Sequence, residues 1–383
     1  MEIEHSEDSL LAVELVHVVE AAYKVWHADS VDAERFVILY YLHGGGYCFF
    51  DGITSHLELA TRMIAKLQAD LFSAGGVRVK VVAFILDYTL APKAVLPAQL
   101  EEAVEGYRFL LSQDRFLVEA RDVVISGDSA GGALVLSLLK CLDEGAFGCA
   151  SLARPGCAHA VSPMLSFSRS LAREAYNFNR DFLSNCLLWY SASCALYGRP
   201  SRPGERCGIG HRPFNGESSK EASSSSFESD RISAPAGVEQ GQQERSATFS
   251  FDDANSATFA GIPILVQAGG SEGFLDEILD FVKRVDDAVT LEVYEDRFHI
   301  FPMLSWIIPQ GKTAIEHWAS FATMALTGKP LTLGQHFAVC PAGSMRPHPD
   351  LDWVTTRLFV MSVEYCLAPG TVFLKQLKEV LEV

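Results

Sequence analysis

The sequence predicts an α/β domain, a mostly parallel central sheet covered by helices on both faces, and three observations lead to that expectation. From about residue 36 onward, short β-rich apolar runs alternate with longer segments of helical periodicity, the pattern of strands joined by crossover helices. Gly127-Asp128-Ser129-Ala130-Gly131 stands directly between the apolar run DVVIS and the helical run ALVLSLLKCL. His43-Gly44-Gly45-Gly46-Tyr47 follows another apolar run, FVILYYL.

Strands are expected over residues 36–42, 79–86, 122–126, 158–161, 263–267 and 290–294. Helices are expected near 55–72, 98–112, 130–142, 182–196, 274–286 and 311–326. The first of these has Ser55 and Glu58 three apart, a capping-box pair able to satisfy opposed backbone N–H groups. Residues 1–35 form an N-terminal segment whose runs at 13–20 and 22–27 fit two short antiparallel strands or one amphipathic helix; periodicity does not separate the two. The core is expected over 36–198, with a cap region near 165–198, and again over 258–328. Between them, 199–257 turns to Ser, Gly, Pro, Glu and Arg, too few apolar residues to offset ordering entropy, so a disordered insertion is expected there. The tail, 329–383, repeats part of 81–105: Tyr365, Leu367, Ala368 and Pro369 align with Tyr88, Leu90, Ala91 and Pro92. A truncated duplicate is the expected reading of that repeat, ahead of a regulatory or swapped strand.

Composition excludes several function classes. The chain has 383 residues, 49% hydrophobic, enough for one large core. Its formal net charge of −17 argues against a nucleic-acid surface, which needs clustered Lys and Arg, and favours a neutral or apolar small-molecule partner. The start, MEIEHSEDSL, is acidic where a secretory signal is basic, and no apolar run approaches the roughly 20 residues of a membrane helix. A soluble, cytoplasmic protein is expected. Nine cysteines, an odd number without a CxxC pair, fit reduced thiols better than disulfides or a metal site.

The chemistry concentrates in the two glycine motifs. GxSxG in a strand-turn-helix setting forces its serine outward on a tight turn, and glycine on either side leaves room for the strained backbone. Ser129 is therefore the candidate nucleophile, with the following helix N-terminus aimed at developing negative charge. The three consecutive glycines let backbone amides converge on a substrate oxygen, and with the Ala130 amide they would form a three-donor oxyanion hole.

HGGGY, then DYTLAP at 87–92, then GDSAGG resemble the hormone-sensitive-lipase-like esterases of the α/β-hydrolase fold, the group that includes arylacetamide deacetylases, fungal steryl-acetate hydrolases and many microbial carboxylesterases. The resemblance spans roughly residues 36–326. It implies Gly45, Gly46 and Ala130 as the oxyanion donors, with support for the glycine loop from His43, Gly44, Asp87, Tyr88 and Asp128. It implies His299 as the base, since that histidine follows the strand TLEVY and comes last in the order Ser, acid, His; His317 falls in a helical pattern, and His336 and His348 lie beyond the core. The acid implied is Glu272, from the register of AGGSEGFLDE, with Asp276 as the alternative whose structural role would be a helix N-terminal charge. Ser162-Pro163-Met164 resembles the family's SPW turn with methionine in place of tryptophan. The expected cap is incomplete, given the short stretch before the first strand. The implied reaction is serine carboxylester hydrolysis through an acyl-enzyme, without metal or organic cofactor; the alternatives are amide deacylation and a non-catalytic ligand-binding protein on the same fold. Oligomeric state and acyl specificity are left open.

Overall fold

The computed structural model describes residues 35–75, 79–112, 119–166, 181–183, 185–198 and 251–328. The expectations for residues 1–34, for 167–180 of the cap region, for 199–250 of the insertion and for the repeated tail lie outside the described residues. In chain order the elements are β1 (Arg35–Leu42), α1 (Leu57–Gly75), β2 (Val79–Leu86), α2 (Ala98–Ser112), β3 (Val123–Asp128), α3 (Ala130–Glu144), β4 (Cys157–Val161), α4 (Asn185–Tyr197), β5 (Ile264–Gly269), α5 (Leu275–Val285), β6 (Thr290–Tyr294) and α6 (Pro309–Thr327).

The strands form one parallel sheet in the order β2-β1-β3-β4-β5-β6. Strand β1 shows why the runs read as continuously apolar: both of its faces are covered. Val37, Leu39 and Tyr41 face Leu59, Met63 and Leu67 of α1 and Trp318 and Ala322 of α6. Ile38, Tyr40 and Leu42 belong to the opposite layer, with Val104 and Tyr107 of α2, Leu134 and Leu138 of α3, and Phe281 of α5. A strand's two-residue period divides the core in this way. Truncating a fully buried member such as Phe281 to alanine costs about 3–5 kcal/mol.

Chain order reverses between β1 and β3, so the loops leaving their C-terminal ends diverge and open a crevice, where ligands bind in open α/β sheets. The HGGGY loop leaves β1 there, and Ser129 leaves β3. Helix α3 is buried from Ala130 to Leu142, which explains its apolar sequence on every side.

Two expectations are corrected. Helix α1 starts at Leu57, which leaves Ser55 two residues before it, and the capping box does not form: Glu58 pairs instead with Arg62, while the Asp51 carboxylate accepts the Ile53 and Thr54 amides. The insertion was expected to run to 257, yet Phe251 and Ala254 are buried, Phe251 lies edge-on to Phe281 at 5.5 Å, and Asp253 pairs with Lys140 at 2.7 Å. A single aromatic ring finding a cleft beside α5 outweighs the polar composition around it. Among the described residues no helix is long and apolar enough to cross a membrane.

Candidate active site

Ser129 occupies the turn between β3 and α3 with φ 51° and ψ −118°, a conformation that strains any residue with a Cβ. The surroundings hold it there: the Ser129 amide donates to the Val161 carbonyl at 2.8 Å, and the Ser129 carbonyl accepts the Met164 amide at 3.0 Å. Both flanking glycines are sterically required. A Cβ on Gly127 would stand 2.6 Å from the Leu42 carbonyl oxygen, and one on Gly131 would run into the carbonyls of Leu42 and His43. Close contact with the end of β1 therefore dictates the glycine spacing of the motif.

His299, on the loop after β6, points its Nε2 at Ser129 Oγ, 2.8 Å away. Phe274 meets its ring edge-to-face at 4.8 Å. The loop lies against the turn after β5, where the Arg297 carbonyl accepts the Ser271 amide at 2.8 Å; a Cβ on Gly269 would stand 2.6 Å from the Phe298 carbonyl oxygen. Glu272 is fully buried in that turn. Its Oε2 accepts the Ser162 hydroxyl at 2.5 Å and the Gly269 amide at 2.9 Å, and Ser162 Oγ in turn accepts the Ile300 amide at 3.0 Å. Glu272 is thus linked to the His299 loop through Ser162, while His299 Nδ1 has no hydrogen-bond partner among the described residues.

On the opposite side of Ser129, the HGGGY loop turns through Gly45 at φ 113° and Gly46 at φ 60°, values that favour glycine. Tyr88 stacks on the His43 ring at 4.1 Å and donates its hydroxyl to the His43 carbonyl at 2.8 Å. Asp87 accepts the Gly52 amide at 3.3 Å and lies 3.7 Å from His43 Nε2. Asp128, inside the serine motif, reaches across to accept the Gly44 amide at 3.1 Å. Among the described residues none of the amides of Gly45, Gly46 and Ala130 is spent on a main-chain acceptor.

Residues 39–200 match a family model described as the alpha/beta hydrolase fold. An esterase of Acinetobacter venetianus is 25% identical over 289 residues, 75% of this chain and 74% of its own. A solved hormone-sensitive lipase from a metagenome library superposes with a TM-score of 0.53 at 22% identity, covering 76% of this chain and 77% of that one, a likeness of fold. The arylacetamide deacetylase of Oryctolagus cuniculus is 33% identical over 105 residues, 27% of this chain; the match spans only 24% of that relative's length. The chain has the α/β-hydrolase fold. Its core is the sheet just described, and its departures from the expected pattern lie around two ionisable residues that motif reading missed.

The first is His56, buried just ahead of α1 in this α/β-hydrolase-fold chain. Its Nδ1 faces the Asp51 carbonyl at 3.2 Å and its Nε2 faces Asp128 Oδ1 at 3.3 Å. Neither partner has a proton to give when Asp128 is ionised, so the two contacts favour donation from both ring nitrogens, the imidazolium form. Burial opposes that charge, but the Asp128 carboxylate and the Asp51 carbonyl outweigh it and raise the His56 pKa. Burial likewise opposes the Asp128 anion, which His56 and the Tyr41 hydroxyl, 2.8 Å away, hold below its ordinary value. His43, its ring 5.5 Å from that of His56, is pushed down by burial and then by the His56 charge.

The second is Asp181, whose carboxylate accepts backbone amides from Phe182, Gly273 and His299. Burial lifts it to about 6 against the lowering effect of those bonds. Burial also drives Glu272 up to about 8, with the Asp181 charge adding to the rise, and holds His299 down to about 3. The resting site therefore contains a neutral imidazole, the form a general base requires.

The other candidates fall outside this cluster. Asp276 is exposed in the first turn of α5. His317, on α6, faces Glu292 at 3.3 Å. His336 and His348 lie outside the described residues. Met164 is buried beside the elbow. Among the described residues no group of three or more His, Cys, Asp or Glu side chains is arranged to hold a metal ion.

Proposed function

We propose that the protein is a serine carboxylester hydrolase acting on neutral or apolar esters through an acyl-enzyme. The observation that supports this most directly is the 2.8 Å approach of His299 Nε2 to Ser129 Oγ on a strained turn between the end of β3 and a buried helix N-terminus. In the proposed reaction His299 takes the Ser129 hydroxyl proton as Oγ attacks the ester carbonyl, and the amides of Gly45, Gly46 and Ala130 receive the oxyanion. The imidazolium then returns its proton to the leaving alcohol, and water, activated by the same imidazole, releases the acid. Glu272 and Asp128 are the carboxyl groups that favour positive charge on His299 during attack. A net charge of −17 favours substrates without negative charge.

Turnover of short p-nitrophenyl esters by the purified chain tests this reading. Ser129→Ala is expected to reduce kcat by about 10⁶ with KM little changed; wild-type protein without turnover, or an alanine variant with full activity, rules it out. The rabbit relative is named for deacetylation of arylacetamides, so competition between a phenyl ester and its anilide addresses the leaving group. A cytoplasmic location belongs to the same proposal. It is supported by cysteines that are thiols rather than disulfides among the described residues, Cys141, Cys149 and Cys157 among them. Fractionation of the tagged full chain checks it.

A further inference from the structure

Asp181 stands at the head of the short stretch that leads into α4, outside every motif singled out in the sequence. Its carboxylate reaches two separate loops. Oδ2 accepts the amide of Gly273, the peptide immediately after Glu272, at 2.8 Å. Oδ1 accepts the amide of His299 itself at 3.2 Å, and also that of Phe182 at 2.8 Å, which folds the stretch back on its own side chain. The Phe182 ring consequently lies against Phe298 at 5.7 Å and against the His299 imidazole at 6.1 Å. Backbone and ring of the base are thus gripped from one short segment. Hydrogen bonds to an ionised acceptor are roughly twice as strong as neutral ones, and here one carboxylate group gathers several.

We propose that Asp181 is a positioning residue for acyl transfer: it fixes the Glu272–Gly273 and His299 peptide units relative to each other and ties both to the segment entering α4, keeping the imidazole aimed at Ser129. The proposal rests on the ester-hydrolase reading for its kinetic consequence but not for its structural one. Glu272, from the turn after β5, is the titratable side chain that senses the Asp181 charge, while His299, from the loop after β6, meets Asp181 through its backbone amide. Glu272 does not replace it as an acceptor for these amides, since its Oε2 accepts Ser162 and Gly269 instead. Loss of the tie leaves the nucleophile and the oxyanion amides in place, so its effect is expected in kcat rather than KM.

The experiment uses the full chain with Asp181→Ala and Asp181→Asn, the latter nearly isosteric and retaining one acceptor oxygen. Kinetics on p-nitrophenyl butyrate are read beside hydrogen exchange, by mass spectrometry, of peptides containing Gly273 and His299. The expected result is a kcat loss of about 100-fold for alanine and about tenfold for asparagine, since a displacement near 1 Å can cost that much. KM is expected to stay within about threefold of wild type, and both peptides should exchange faster in both variants. If alanine does not fold, the asparagine variant alone decides. Wild-type kcat in the variants, or a loss confined to KM, overturns the proposal. If wild type itself turns over no ester, the hydrolase reading fails separately, and unchanged exchange at Gly273 and His299 is then the result that overturns the tie.

Discussion

Replacing His56 by leucine removes the only cation in contact with the Asp128 carboxylate among the described residues while keeping a side chain of similar bulk. Both partners are almost wholly inaccessible, each with a side chain about 1% exposed, so solvent cannot take over the lost role. Breaking a buried pair from one side typically costs about 3–5 kcal/mol, because the remaining charge is left uncompensated. Asp128 keeps the Tyr41 hydroxyl and the Gly44 amide, which places the expected loss near the lower end, about 3 kcal/mol. At roughly 2 °C per kcal/mol for a chain of this size, the midpoint should fall by roughly 6 °C.

The dependence on pH has a definite sign. His56 has its pKa raised on folding, so its contribution is complete below the unfolded value of about 6.5 and disappears as pH rises through the folded one. Asp128 has its pKa lowered, so its contribution is complete above about 3.9 and disappears as pH falls through its folded value. The gap between wild type and His56→Leu should therefore be widest near pH 5–6 and narrow toward pH 9.5. Urea unfolding at a series of pH values measures it. A gap under about 1 kcal/mol at pH 6, or one constant to pH 9.5, would refute the assignment of a buried imidazolium.

Other expectations follow from the same geometry. Because Glu272 is pushed up to about 8, wild-type kcat should rise with pH through that region as the carboxylate forms, whereas Glu272→Gln should lack the rise and fall about 10³–10⁴-fold below wild type at pH 9. In stability the sign reverses: Glu272 keeps its proton to higher pH folded than unfolded, so its contribution is lost as pH rises through about 8, and the Gln variant should resist alkaline unfolding better than wild type. Gly131→Ala drives a Cβ into the Leu42 and His43 carbonyls and should destabilise by about 3 kcal/mol or more, measured by thermal unfolding; an alanine variant as stable as wild type would contradict the packing between the elbow and β1.

The parts of this molecule that were legible from sequence are those whose physics is local. Parallel strands covered on both faces read as apolar runs, and all six expected runs fall within two residues of the observed strands. The elbow announces itself because β1 and α3 leave no room for a Cβ at Gly127 or Gly131. What stayed hidden are groups whose partners are far apart in the chain or are backbone atoms. Asp181 sits in the polar stretch NFNRDFLSN, and the amides it binds belong to peptide units that carry no residue signature. His56 was obscured by a plausible alternative, since Ser55 and Glu58 fit a capping box that the Asp51 turn pre-empts. Its partner, Asp128, lies 72 positions away across a parallel sheet, a pairing fixed only by strand order.

That pairing also bears on the proposed chemistry. Attack by Ser129 separates charge, with positive charge forming on His299 and negative charge on the carbonyl oxygen held by the glycine loop. The Asp128 anion favours the first and opposes the second. The His56 imidazolium sits on the loop side, its ring 5.5 Å from that of His43, so it cancels Asp128 where the oxyanion forms. A bare unit charge on the order of 7 Å from the oxyanion, at an effective dielectric of about 20, is worth about 2 kcal/mol, or roughly thirtyfold in rate. His56→Leu should therefore lower kcat by about that factor, and adding Asp128→Asn, which removes the uncompensated charge but keeps an oxygen for the Gly44 amide, should restore part of it. A double variant no faster than His56→Leu would mean that the histidine acts through packing alone.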